Sequence, residues 1–242
     1  MAFLIRTLAC TYFDGHHIEP HAHRWAQLIY AGSGVMRVRA GQTLWIVPPA
    51  RAIWAPAGVR HEIWARGDFA MRTLYLDPDI ASGLPQACLG LDVSPLLREL
   101  ILHAVSIGLL ARDNPAHARL AGVIVDQLAD AEALPLTLPL PTDPRAARLA
   151  ERLRDDPTCA LELDALSAWA GASLRTMQRL FLAETGLRFT EWRQRLRLLH
   201  GASLLGAGAS VTEAGLEAGY AGTSAFVAAF RRQFGRTPNR MR

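Results

Sequence analysis

Two histidines stand two apart in "HAHRWAQ", so that His21 and His23 would share one face if they lie on a strand. Gln27 has the same parity and points the same way if the strand continues. Downstream, "PAGVRH" carries a Pro56-Ala57-Gly58 turn that delivers His61 near the start of another strand. Imidazoles gathered in this way hold a transition metal, line an organic-ligand pocket, or serve only as polar groups of a sheet. His16 and His17 precede them, but adjacent strand residues point to opposite faces.

A second kind of chemistry is written toward the other end of the chain. Along "SLRTMQRLF", Leu174, Met177, Leu180 and Phe181 recur at helical spacing and are expected to face a core. Arg175, Thr176, Gln178 and Arg179 are then outward, and arginine and glutamine suit guanine and adenine edges. The stretch "GYAGTSAFVAAFRRQFGRTP" is less equipped. Phe226, Phe230 and Phe234 form a core stripe, leaving Thr223, Ser224, Val227 and Ala228 outward near its start. Such side chains touch a thymine methyl or a phosphate but are weak base readers. Arg231, Arg232 and Arg236 suit phosphate contacts, which give affinity without sequence choice. For both helices the alternative is a polar solvent face on a packed core.

The elements that must position these residues differ in texture along the chain. "AQLIYA", "VMRVRA", "TLWIV", "RAIWA" and "MRTLYL" read as short strands, separated by the turn signals "GSG", "GQ", "PP", "PAG" and "RGD". This pattern predicts an antiparallel barrel or sandwich. After Asp77 the spacing turns helical. "SPLLRELILHAVSIGLLA" begins with Ser94 as a cap and Pro95 at the first helical position, and "AHARLAGVIVDQLADAE" follows beyond Asn114-Pro115. Both are apolar over wide faces, so they pack on the barrel, on each other or on a second copy of the chain. "LPLTLPLPTDP" cannot be helical and reads as an extended linker. Beyond Pro144 the chain is all helix. A short helix, a glycine-containing turn and a longer helix occur twice, the second helices starting near Leu174 and Ser224. This is a weak internal repeat of a helix-turn-helix unit.

Composition sets the bounds. The 242 residues are 50% hydrophobic and 20% charged, which makes a globular chain of one large domain or two small ones. Cys10, Cys88 and Cys159 are scattered and odd in number, arguing against a disulfide framework and for a reducing compartment. No stretch reads as a secretion signal or an apolar span of ~18 residues, so the expected location is cytoplasmic, away from membranes. Lysine is absent. Residues 1–142 carry 11 arginines against 12 acids, whereas residues 143–242 carry 15 against 10, so the C-terminal part is the one expected to meet a polyanion.

The stretch from Gly219 to Pro238 resembles the C-terminal pattern of the AraC/XylS family of bacterial transcription regulators. The likeness extends back through "FTEWRQRLRLL" to "LSAWAGASLRTMQRLFLAETG". It implies two helix-turn-helix units on a connecting helix, reading two successive major-groove segments of double-stranded DNA. By position, the base readers would be Arg175, Gln178 and Arg179 in the first unit. In the second they would be Thr223, Ser224, Val227 and Ala228, an unusually apolar set. Met241 stands where the family usually has tyrosine.

The first part of the chain resembles the cupins, small β-barrels, in its His21, His23, Gln27 and Gly34 spacing and in Pro56, Gly58 and His61. Ala50 and Ala65 replace a glycine and an asparagine of the second cupin motif. The resemblance implies a metal set of His21, His23, Gln27 and His61, with glutamine where metal-binding cupins have glutamate. Imidazoles with an amide oxygen suit Ni, Zn, Fe or Cu rather than Mg or Ca. A small organic effector, or none, are the alternatives.

The expected fold is thus α+β: a cupin-like effector-sensing barrel over 1–82, a helical dimerisation segment over 92–134, a proline-rich linker over 135–144 and an all-α double helix-turn-helix domain over 145–242. The expected function is a ligand-responsive, homodimeric, sequence-specific DNA-binding regulator and not an enzyme. The alternative is a metal-dependent cupin enzyme, oxygenase-like, with a helical appendage; metal-dependent turnover would mark it, salt-sensitive DNA retention the regulator.

Overall fold

The computed structural model describes residues 3–240, apart from the side chains of Arg66 and Arg240, so Met241 lies outside the described residues. In chain order the elements begin with β1 (Phe3–Tyr12), β2 (His17–His21), β3 (Ala26–Ala40), β4 (Thr43–Val47), β5 (Arg51–Ala55) and β6 (His61–Leu76). Then follow α1 (Pro78–Ala81), β7 (Leu89–Asp92), α2 (Pro95–Ile107), β8 (Leu109–Ala111), α3 (Pro115–Ala129), β9 (Ala133–Leu134) and β10 (Thr137–Pro139). The rest is α4 (Pro144–Asp155), α5 (Leu163–Trp169), α6 (Leu174–Thr185), α7 (Phe189–Gly206), α8 (Val211–Glu217), α9 (Thr223–Phe234) and a 3-10 turn at Pro238–Arg240. Two compact units result: residues up to Gly41 with Val47–Leu136, and Gln42–Ile46 with everything from Thr137 onward.

The first unit is an antiparallel sheet in the order β8-β1-β6-β3-β5-β7-β9, with β2 on β6. Two of the turns read from sequence are not turns. "GSG" and "RGD" lie inside β3 and β6, which run on through them while their register shifts between Ala31 and Val35. The shift absorbs the extra residues as a bulge, so two expected strands become one long one. β1 and β2 were not legible as strands, because neither alternates cleanly between buried and exposed positions.

One face of this sheet is dry. Ile5, Leu28, Tyr30, Leu74 and Leu76 meet Leu97, Ile101 and Ala104 of α2 and Ala121, Ile124 and Leu128 of α3. A fully buried leucine or isoleucine contributes about 1.5–3 kcal/mol, so this layer contributes strongly to the unit's stability. Both helices start as their sequence dictates. The Ser94 hydroxyl accepts from the Leu97 N–H, and the Asn114 side chain accepts from the N–H groups of Ala116 and His117. The expected length of α2 needs correction: it stops at Gly108, whose φ of +86° favours glycine, and Leu109–Ala111 instead pairs with β1.

The second unit adds packing to the reading of residues 135–144 as an extended linker. The segment is extended, as its prolines require, but it is packed. β10 pairs with β4 through Thr137 opposite Trp45 and Leu138 opposite Leu44, and both leucines are fully buried. The Trp192 indole donates to the Pro139 carbonyl at 2.7 Å, and Arg195 donates to the Thr137 hydroxyl at 2.9 Å. The Glu184 carboxylate accepts from the N–H groups of Thr142 and Asp143.

The two helix pairs of this unit close in the same way. Gly171 and Gly219 have φ of +78° and +77°, and the next N–H, of Ala172 or Tyr220, returns to the carbonyl of Ser167 or Gly215. α6 and α9 both stop at a left-handed glycine, Gly186 and Gly235. The repeat seen in sequence is therefore a repeat of turn geometry. Between the pairs runs α7, with Trp192, Leu196, Leu199 and Ala202 buried. Gly201 on α7 admits the Phe226 ring: a Cβ there would lie 2.7 Å from it.

Candidate functional site

The three expected histidines come together, but not through strand parity. His21 ends β2, whereas His23 lies in the loop before β3, so the two do not share one strand. Pairing of β2 with β6 puts His21 opposite His61, and the loop folds His23 back beside them. The ring centroids of His21 and His61 are 4.5 Å apart, and those of His23 and His61 5.3 Å. One ligand atom from each of the three lies within 4.8 Å of the others.

Each imidazole is oriented by its own backbone. The Nδ1–H of His21, His23 and His61 donates to the carbonyl of Glu19, Trp25 and Val59, at 2.9, 2.7 and 2.9 Å. A carbonyl only accepts, so the proton is on Nδ1 and Nε2 carries the free lone pair. Gln27 Oε1 lies 2.9 Å from His23 Nε2 and 3.0 Å from His61 Nε2. The amide nitrogen donates to the Thr73 hydroxyl, which donates onward to the Leu28 carbonyl, each at 2.9 Å. Turned over, the amide would offer its NH2 to both imidazoles. With the oxygen inward, three lone pairs converge, an arrangement that a cation satisfies.

Burial supports that polarity. Gln27 is 1% exposed and His61 2%, while His21 and His23 are half-buried. Burial pushes the His61 imidazole down to about 4, the nearby His21 and His23 push it the same way, and the Val59 bond opposes them. His61 is therefore neutral at neutral pH, as a metal ligand must be. The preceding histidines are engaged elsewhere. His16 stacks on Tyr12, and His17 meets Glu62 at 3.0 Å while stacking on Trp64.

In the helical unit, α6 presents Arg175, Gln178 and Arg179 to solvent over a core of Met177, Leu180 and Phe181. Leu174 departs from expectation, being 42% exposed at the first position of the helix. Thr176 is half-buried and tied to the cap, its hydroxyl 2.9 Å from that of Ser173. On α9, Phe226, Phe230 and Phe234 are buried as expected. Ser224, Ala228, Arg231 and Arg232 are exposed; Thr223 and Val227 are half-buried, and the Thr223 hydroxyl donates to Thr212 of α8. Arg236 is half-buried and engaged.

The model of an AraC-like ligand binding domain matches residues 8–166, and that of a helix-turn-helix domain matches residues 166–242. The chain belongs to the AraC family. The HTH-type transcriptional regulator NimR of Escherichia coli (strain K12) is 35% identical over 223 residues, 91% of this chain and 80% of NimR. The HTH-type transcriptional regulator RipA of Corynebacterium glutamicum is 39% identical over 103 residues, 43% of this chain and 31% of RipA. ToxT from Vibrio cholerae aligns over 98% of this chain and 97% of its own at 11% identity, with a TM-score of 0.40. This AraC-family chain is a ligand-responsive transcription regulator. No helix among the described residues is long and apolar enough to cross a membrane.

Sequence reading of this AraC-family protein missed Thr73, which holds the Gln27 amide from a position 46 residues away. The only signal was register: Thr73 faces Ile29 across the β3–β6 ladder, one pleat from Gln27 opposite Tyr75. It also missed the aromatic rim. Trp25 and Tyr75 lie 6.3 and 5.3 Å from His23, ring to ring.

Proposed function

We propose that this regulator reads its operator chiefly through α6 and uses α9 mainly as a phosphate clamp. The observation that carries the reading is the asymmetry between two helices closed by the same turn. α6 exposes Arg175, Gln178 and Arg179, donors and acceptors matched to base edges, where α9 exposes Ser224 and Ala228. Thr176, Thr223 and Val227 stand beside these readers as partly covered contacts. Arg231 and Arg232 lie in the last turn of α9 and meet the backbone.

Gln178→Ala and Arg179→Ala are each expected to cost about 1–3 kcal/mol at the cognate site and little on random DNA. Arg232→Ala weakens both alike and makes the salt dependence shallower. A fluorescence titration across salt concentrations separates the two classes; identical behaviour of Gln178→Ala and Arg232→Ala would refute the division.

The response is set in this reading by a transition ion (Ni, Zn, Fe or Cu) held by His21, His23, Gln27 and His61. The fixed Nδ1–H bonds and converging Nε2 atoms support it, since ligating histidines are commonly oriented by such second bonds. When bound, the ion supplies a fixed positive charge and a Lewis-acidic position. An organic effector without metal is the competing reading, favoured by the Trp25 and Tyr75 rim.

The active form in this reading is a homodimer built on the outward faces of α2 and α3, where Leu96, Ile107 and Val123 are exposed. Sedimentation velocity of the full chain should show a dimer at micromolar concentration, and Leu96→Arg with Val123→Arg should give monomer. A monomeric parent protein would end the dimer reading.

A further inference from the structure

We propose that the effector of this protein is a small carboxylate with a planar aromatic body, recruited by the ion itself. The inference rests on the metal reading above and names what that site takes. Its basis is a charge imbalance. The donors that converge are three imidazoles, neutral when they ligate, and one amide oxygen. No Asp or Glu joins the cluster among the described residues. A divalent ion held there keeps its full double charge in a site that is buried at Gln27 and His61. Burying an uncompensated charge is costly, and a bound ion is the largest local charge in its site.

The surroundings add to the imbalance. The Arg24 guanidinium lies 5.1 Å over the Trp25 ring. Arg6 stands opposite Tyr75 in the β1–β6 register, and Tyr75 stands opposite Gln27 in the β3–β6 register. The two carboxylates that neighbour these histidines in sequence, Glu19 and Glu62, are committed elsewhere. The Glu19 side chain is 83% exposed and faces His17, and Glu62 is held by His17 and Arg39. What the site lacks is therefore negative charge, and it is open to solvent on the side of His21 and His23. On that side Trp25 and Tyr75 stand edge to face at 6.3 Å, and Phe3 lies 5.7 Å from Trp25. Such a rim suits a flat apolar body beside a charged head.

The test uses the full chain loaded with Co(II), whose visible spectrum reports ligand exchange, and phenylacetate as the probe. Acetate and phenylacetamide remove in turn the ring and the charge. About one cobalt per chain is expected, with a saturable phenylacetate shift at least about tenfold tighter than acetate and none with phenylacetamide. Gln27→Glu should retain cobalt and weaken phenylacetate by about tenfold or more, because the fixed carboxylate cancels the attraction. Trp25→Ala should lower phenylacetate affinity to that of acetate. Cobalt uptake with no phenylacetate response, or equal affinity in Gln27→Glu, overturns this proposal while leaving the metal reading intact. Absence of cobalt uptake overturns both.

Discussion

Replacing His21 and His23 together by alanine is expected to abolish stoichiometric metal binding, with affinity falling more than about a hundredfold. Loss of one outer partner of a metal ligand already costs about 10–100-fold, so loss of two ligands costs more. His61 and Gln27 would remain, but they are the buried pair, and two neutral donors make a poor site. The double variant should still fold, since His21 and His23 are half-buried and their ring bonds are to local carbonyls. Thr73→Val is the informative companion. It removes the acceptor of the Gln27 amide and is expected to weaken the metal by about 10–100-fold without touching a ligand. Elemental analysis and a competitive chelator titration of the parent and both variants decide it. Metal retained in the double variant, or parent protein that takes up no Ni, Zn, Fe or Cu, rules the site out.

The second large effect is expected at Gly34. Its φ is +72°, and a Cβ there would stand 2.1 Å from the Asp68 carbonyl oxygen and 2.7 Å from the Phe69 Cα. These are backbone atoms of the paired strand, so no side-chain rotation relieves the clash. Gly34→Ala should therefore destabilise the sheet unit by more than about 4 kcal/mol, in the exceptional range for a single substitution. Gly15→Ala is the control. Gly15 has nearly the same backbone, φ +79°, but nothing lies within 4 Å of its Cβ position. It should cost only about 1 kcal/mol, the conformational penalty alone. Urea denaturation followed by tryptophan fluorescence compares the two; equal losses would show that β3 and β6 do not approach as closely as described.

Local chemistry carried most of the helical unit in the sequence. Ser173 before α6, Gly171 and Gly219 in the turns, and Gly186 and Gly235 after the second helices each act within a few residues, so their effects can be read from spacing alone. The same holds for Ser94 and Asn114, and for the Phe226, Phe230 and Phe234 stripe. The outward placement of Arg175, Gln178 and Arg179 was legible for that reason: once the core face of α6 is known, the opposite face follows.

The sheet unit was legible as strands and as histidines, not as an arrangement. Strand pairing is non-local, and a bulge looks like a turn until its partner strand is known, which is why "GSG" and "RGD" misled. Tertiary structure alone decided that His23, off the strand, still faces His61, and that Thr73 orients Gln27 from the far side of the ladder. It likewise decided that residues 137–139 pack as a strand beside β4 and under Trp192 rather than hang as a tether. Prolines forbid a helix in that segment, but only the leucines between them, finding a buried surface far along the chain, settle where it lies.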